Sequence, residues 1–273
     1  MDKKRVIQPV VFAVIVYIIW EIIGNVSAYL LTAFFNKTGI VLPSDYWNMF
    51  ISEMCVWLLS CIVFWKYIKD RGNLSGECLV KYIWVLLPVV LQVSIDICTL
   101  FSGDIVINLL SAEGISFLIP CFLGTMSIGL LEETIWRKVI FLNTVRKWGD
   151  SQKGIICAVI FPALLFGLCH YMNMLSAGQG FYDTSKQVLS SICMGVFLSG
   201  IYYRTGKFIV PVIIHGLCNF SNFFMNEMLG WDYNLLKFSG ILQVAVSVLY
   251  LFLGIYMALC SDKYKNIAAQ GAY

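Results

Sequence analysis

Two adjacent carboxylates lie in the middle of an apolar segment that reads GLLEETIWRK from Gly129. They are Glu132 and Glu133, and Arg137 follows them. An ionisable side chain inside a membrane segment costs about 2.5 kcal/mol or more, so two together need compensation. Glu133 and Arg137 are four residues apart and can pair on one helix face, where we interpret them as structural support. Glu132 points about 100° away around the helix, and it is the predicted general base or acid.

The chain contains only two histidines, His170 and His215, and both lie in apolar stretches. Asn219 follows His215 by four residues, so both side chains project from one face of the same helix. Phe166 precedes His170 by the same spacing, and we interpret it as a packing residue that walls a site. Two membrane histidines beside an acidic pair in a third segment favour one shared site over two separate packing roles.

Three chemistries are compatible with the polar side chains of these segments, which are Glu132, His170, His215 and Asn219. In the first, the carboxylate activates a water with help from a histidine, while a histidine and the amide stabilise an oxyanion. In the second, the two histidines and the carboxylate bind a divalent metal and leave one position open for water. In the third, the side chains form the proton relay of a transporter.

Familiar hydrolase motifs are absent from the sequence. It contains no H-E-x-x-H, which excludes a standard zincin site on one helix, and no G-x-S-x-G for a serine nucleophile. A transporter relay requires acids spread along a path through the membrane. Glu21, Glu53 and Asp96 occur in other apolar stretches, so the relay stays open as an alternative.

The composition predicts an all-α, polytopic membrane protein. Of the 273 residues 59% are hydrophobic and 13% are charged, and the mean hydropathy is +0.80. Apolar runs of about 20 residues recur, and helices satisfy their own backbone groups in lipid. One run would be about 50 Å long as a single helix, so we expect it to be tilted or broken near Pro120 and Gly124. The eight predicted spans are 6–35, 47–65, 82–101, 115–147, 154–171, 187–203, 208–225 and 235–260.

The charged residues indicate topology. The net charge is only +3, and the basic residues lie at the ends of spans, so nucleic-acid binding is not predicted. They cluster at both ends of the chain and after the second, fourth and sixth spans, which predicts that both termini are cytoplasmic. The pattern fits a multi-pass protein of a bacterial plasma membrane. The ten cysteines form no CxxC pair and are interpreted as small hydrophobic residues. We predict one membrane domain over residues 1–273, with a motif-bearing core at about 124–224.

Three short patterns in this order resemble those of the CPBP family, the CAAX-processing and bacteriocin-processing intramembrane endopeptidases, also called the Abi family. The patterns are Glu132-Glu133-x-x-x-Arg137, Phe166-x-x-x-His170 and His215-x-x-x-Asn219, with Arg204-Thr-Gly206 ahead of the third. Each pattern alone is weak. Three in order, in separate predicted spans and using both histidines of the chain, are fairly specific.

The resemblance implies a role for each matching residue. Glu132 would be the general base that activates water, and His170 would assist it or bind a metal. His215 and Asn219 would stabilise the oxyanion. If the enzyme is a metalloprotease, His170 and His215 are the candidate ligands of a divalent ion such as zinc. The residues that would hold the geometry of the site are Glu133 and Arg137.

The resemblance also implies the kind of partner. The substrate would be a prenylated or otherwise membrane-associated peptide or protein, cleaved near its C-terminus within the lipid bilayer. An alternative is a non-proteolytic bacteriocin self-immunity protein or a peptide-binding membrane scaffold. Trp136 and Lys138 stand where the family pattern leads us to expect a phenylalanine and a glycine. We expect the added charge of Lys138 to alter substrate choice.

Overall fold

The structure, a computed structural model, describes residues 3–70, 74, 76–101, 112–176, 178–229 and 237–260, and these residues form helices and turns without any strand. The first half contains α1 (Lys3–Thr38), α2 (Asp45–Val63), α3 (Trp65–Ile68), a 3-10 helix (Leu79–Leu86) and α4 (Leu87–Phe101). The second contains α5 (Ala112–Glu133), a π-helix (Thr134–Phe141), α6 (Leu142–Trp148), α7 (Gln152–Cys169), a 3-10 turn (His170–Met172), α8 (Asn173–Ser176), α9 (Phe181–Thr205), α10 (Ile209–Leu229) and α11 (Lys237–Leu259).

The predicted fold class is confirmed, and the chain is a polytopic helical membrane protein. Each of the eight predicted spans overlaps a helix, but their number as membrane crossings stays a prediction. The predicted cytoplasmic termini, at residues 1–2 and 261–273, lie outside the described residues. Five helical stretches of the described chain are long and apolar enough to cross a membrane: Val6–Thr38, Asp45–Val63, Ser116–Trp148, Gln152–Ser176 and Ile241–Leu259. Shorter apolar helices are Leu79–Ile95 and Ile209–Phe224.

Of the two expectations for the long fourth segment, a tilt or a break near Pro120 and Gly124, the break is not observed. Helix α5 continues through Pro120 and past Gly124. Membrane helices tolerate the loss of the one backbone hydrogen bond that a proline removes. The helix changes its winding further on, in the π-helix Thr134–Phe141. There the backbone N–H of Leu142 donates to the carbonyl oxygen of Arg137, five residues back. Wide turns of this kind are frequent at functional sites, and this one begins directly after Glu133.

Helices α5 and α10 touch backbone to backbone at Gly129 and Gly216. A Cβ atom on Gly129 would lie 2.8 Å from the backbone nitrogen of Gly216 and 3.1 Å from the carbonyl oxygen of Val212. Small residues allow such close approach between membrane helices. Gly129 lies one turn before the acidic pair and Gly216 directly follows His215, so this crossing brings the carboxylates and the histidine together.

Replacing Gly129 with alanine should lower stability by about 1–3 kcal/mol, because the added methyl group meets backbone atoms that cannot rotate away. The thermal unfolding midpoint of the purified protein in detergent measures the effect. Gly24→Ala in α1 is the matched control, since a Cβ atom there meets nothing within 4 Å. An unchanged midpoint for Gly129→Ala would show that the two helices separate without cost.

Buried aromatic side chains fill the space between α1, the π-helix and α7. Trp136 is fully buried, and its ring centroid lies 6.4 Å from that of Tyr17, 6.3 Å from Trp20 and 5.5 Å from Phe166. Aromatic contacts of this kind stabilise by about 0.5–1.5 kcal/mol beyond the buried area. Trp136, which departs from the family pattern, therefore fixes the position of Phe166. The Phe166 ring lies next to both histidines.

The chain after α2 contacts the end of the bundle that carries Lys138 and Arg146. Lys138 Nζ donates to the backbone carbonyl of Asp70 at 3.2 Å and lies 5.7 Å from the centre of the Phe208 ring. The Asp70 carboxylate forms an ion pair with Arg146. These contacts give Lys138 a structural role, while its expected effect on substrate choice stays a prediction.

Arg204, of the Arg-Thr-Gly stretch, makes a second set of polar contacts at this end of the bundle. Its guanidinium forms a 3.2 Å ion pair with Glu77 and a hydrogen bond to the Tyr82 hydroxyl, which itself donates to Glu77. The arginine is only 4% exposed, so the pair is largely shielded from water. It ties the end of α9 to the chain between α3 and α4.

Candidate active site

Glu133 and Arg137 form the predicted ion pair. The Arg137 Nε atom lies 2.9 Å from Glu133 Oε2, and neither side chain is exposed. The N–H does not point at the oxygen, and the two Nη atoms have no hydrogen-bond partner among the described residues. The guanidinium carbon lies 5.7 Å from the centre of the Phe166 ring. The charge of Arg137 is thus balanced mainly by this one carboxylate.

His215 lies between the two carboxylates. Its Nδ1 atom is 2.9 Å from Glu133 Oε1, and its Nε2 atom is 3.4 Å from Glu132 Oε2. Helices α5 and α10 can bring these groups so close because they touch at their glycines. The Glu132 side chain is 20% exposed, whereas Glu133 is fully buried. Glu132 is therefore the carboxylate that a substrate or a water can reach.

The protons of this cluster follow from its contacts. A carboxylate can only accept, so the Nδ1–H of His215 donates to Glu133. A second proton, shared between Nε2 and Glu132, would balance the remaining negative charge. With that proton, Glu132, Glu133, Arg137 and His215 together carry no net charge. A neutral cluster is the arrangement in which buried charges cost least, because unpaired buried charges are strongly destabilising.

His170 lies at the end of α7, on the far side of the Phe166 ring. Its Nδ1 atom is 3.0 Å from the Phe166 carbonyl oxygen, which can only accept, so Nδ1 carries a proton. In the neutral ring Nε2 is then an acceptor, and Ser191 Oγ is 3.5 Å from it. The Phe166 centroid lies 5.0 Å from that of His170 and 5.8 Å from that of His215. In the described structure no hydrogen bond or ion pair joins His170 to Glu132.

Asn219 lies on α10 one turn after His215 and is half-buried. Among the described residues it makes no hydrogen bond to Glu132, Glu133 or His215. Catalytic contacts often form only once a substrate is bound, so the amide is a candidate donor to substrate. Its role in stabilising an oxyanion stays a prediction.

Two contacts between helices in this site are not predicted by the sequence. Glu133 was expected only to pair with Arg137, but it also holds His215. Glu53 of α2 lines the same cavity as Leu131, the neighbour of Glu132. Both contacts join different helices, and spacing along one helix carries no information about them. A buried acid in each of two predicted spans was the only available signal.

The donor atoms do not fit the predicted metal site. A zinc ion held by His170, His215 and Glu132 needs a free nitrogen lone pair from each histidine, directed at one point. Both His215 nitrogens face carboxylates, and Phe166 lies between the two histidines. In the described part of the chain no three His, Cys, Asp or Glu side chains are arranged to hold a metal. Zinc therefore stays a prediction that the described side chains do not support.

Comparison with known families covers the residues of this site. Residues 114–221 match the family model of type II CAAX prenyl endopeptidase Rce1-like proteins. The match confirms the predicted resemblance. The matched residues make up about two fifths of the chain and include both carboxylates, both histidines and Asn219. Over these residues the chain is therefore similar to CAAX-type membrane proteases. Neither a curated protein nor a solved structure matches it.

Proposed function

We propose that the chain is an intramembrane endopeptidase in which Glu132 activates the water that cleaves a peptide bond. The observation that carries the proposal is the position of this carboxylate. Glu132 is the one exposed acid of a cluster in which Glu133 and Arg137 are fully buried and His215 nearly so. A base needs contact with water, while the groups that orient it need rigidity. Glu132 meets the first requirement, and the buried side chains of Glu133, Arg137 and His215 meet the second.

The reaction begins with Glu132 ionised and His215 protonated at both nitrogens. Glu132 takes a proton from water as the oxygen attacks the scissile carbonyl, and the carbonyl oxygen becomes an oxyanion. The Nε2–H of His215, held in place by Glu133, and the amide of Asn219 donate hydrogen bonds to that oxyanion. Glu132 then gives its proton to the leaving nitrogen, so the cluster returns to its starting charge. The unprotonated Nε2 of His170 is available to orient the water.

The substrate in this proposal is a membrane-associated peptide. The Rce1-like match supports a C-terminal segment carrying a prenyl group, and the apolar helices support cleavage within a bilayer, for which we propose a bacterial plasma membrane. The test is incubation of the purified protein in detergent with matched prenylated and unprenylated peptides, followed by mass spectrometry. A single cut in the prenylated peptide is the expected result. Absence of cleavage by folded protein in every peptide would contradict the proposal.

A chelator should leave this cleavage unchanged. The reason is that both His215 nitrogens are engaged by carboxylates, which leaves no lone pair for an ion. The measurement compares initial rates before and after dialysis against a divalent-metal chelator, with re-addition of zinc as the control. Loss of activity that zinc restores would show that the resting cluster rearranges around a metal.

A further inference from the structure

Two cavities lie in line between α1 and α2. One has a volume of about 240 Å³ and is lined by polar side chains that include Asn36, Asn48 and Ser52. The other has a volume of about 140 Å³, and Glu21 and Glu53 are in its lining. Each is far larger than the roughly 15 Å³ that one water requires by this kind of measure.

The lining residues form one continuous face on each helix. On α1 they run from Glu21 through Ala28 to Asn36, and on α2 from Asn48 through Ser52 to Glu53, at spacings of one turn or less. The 15 residues from Glu21 to Asn36 correspond to about 22 Å of helix. The two cavities are therefore sections of one groove, which we call the α1–α2 groove.

The inner end of the α1–α2 groove meets the active site. Leu131, the neighbour of Glu132, lines the inner cavity together with Glu53. Beyond this point Ile135, Trp136 and Ile140 of the π-helix are completely buried, so the space toward the basic end of the bundle is filled. The groove thus leads to the active site along polar side chains that alternate with apolar ones such as Phe35 and Trp20.

We propose that the α1–α2 groove supplies water to Glu132, and that Glu53 holds the last water before the base. The inference rests on the proposed hydrolysis, which consumes one water for each bond cut. Polar side chains inside a membrane protein face water-filled cavities, and a polar cavity of this size stays hydrated. The groove opens where α1 ends and α2 begins. Water therefore enters from the end of the bundle opposite the ion pair between Asp70 and Arg146.

The first test measures water contact without any substrate. In lipid nanodiscs, Ser52→Cys and Glu53→Cys should react with a charged, membrane-impermeant thiol reagent. Leu58→Cys is the matched control on α2, because Leu58 is 52% exposed on the lipid side and should not react. Mass spectrometry of the labelled peptides separates these sites from the ten native cysteines. Labelling of Ser52→Cys no faster than Leu58→Cys would overturn the proposal.

The second test narrows the groove. Ser52→Phe should lower kcat at least tenfold with KM unchanged, because water delivery becomes limiting while the peptide site is untouched. Leu58→Phe should change neither constant. A raised KM with normal kcat would overturn the water role and make the groove a peptide-binding site. If Ser52→Cys is labelled but the protein cleaves no peptide, the proposed function is rejected while the hydrated groove is confirmed.

Discussion

Replacing Glu132 with glutamine lowers peptide cleavage by about 10²–10⁴-fold, the contribution expected of a general base. The amide has the size of the carboxylate but cannot accept the proton of the attacking water. The measurement is the initial rate of cleavage by purified wild-type and variant protein. Because Glu132 is the partly exposed member of its cluster, the variant should remain folded, and its unfolding midpoint should stay close to that of the wild type.

An acid-to-amide change elsewhere provides the control for Glu132→Gln. Asp183 is 62% exposed and forms an ion pair with Lys186, far from the cluster in sequence. Asp183→Asn should leave cleavage unchanged. If Glu132→Gln retained more than about a tenth of the wild-type rate, the proton would have to go to another group, since a lost general base costs at least about 10²-fold.

Replacing Glu133 with leucine destabilises the protein by about 3–5 kcal/mol and abolishes cleavage. The loss of stability follows because the fully buried charge of Arg137 is left without its carboxylate, and breaking a buried pair costs about this much. The loss of cleavage follows because His215 no longer has an acceptor for its Nδ1 proton. Denaturant titration in detergent measures the first effect, and the peptide assay measures the second.

A double variant separates these two effects. Glu133→Leu combined with Arg137→Met removes both charges, so at least half of the lost stability should return, as in other buried pairs replaced by apolar side chains. Cleavage should stay lost, because His215 is still unanchored. A double variant that recovers activity along with stability would show that Glu133 acts only by holding Arg137.

The parts of this site that the sequence predicts are those that depend on one helix. The pairing of Glu133 with Arg137 follows from a separation of four residues, and the separate role of Glu132 follows from its different face. The sequence does not predict that His215 bonds to both carboxylates, because helix periodicity defines a face without saying which helix it meets. The position of Phe166 between the histidines depends on packing in the same way.

Helix α9 contains the sixth predicted span, but its composition alone does not mark it as a membrane helix. It is 25 residues long, but it is not among the five stretches that are apolar enough to cross a membrane by composition. Every residue from 195 to 205 is buried, and they include Ser199, Arg204 and Thr205. A helix surrounded by protein has no need of an apolar surface for lipid. The π-helix is likewise invisible to a periodicity argument, which assumes one constant winding.

The change of winding after Glu133 joins two halves of one long segment whose orientations are fixed independently. Upstream, the carboxylates must face His215; downstream, Lys138 and Arg146 must face Asp70. A uniform α-helix would set the angle between these two groups by residue count alone, whereas the wider turn of a π-helix changes that angle. The π-helix therefore sets the angle around the helix axis between the side chains that precede it and those that follow it. Its one extra residue per turn lets the active site and the basic end of the bundle evolve their own partners without misaligning each other.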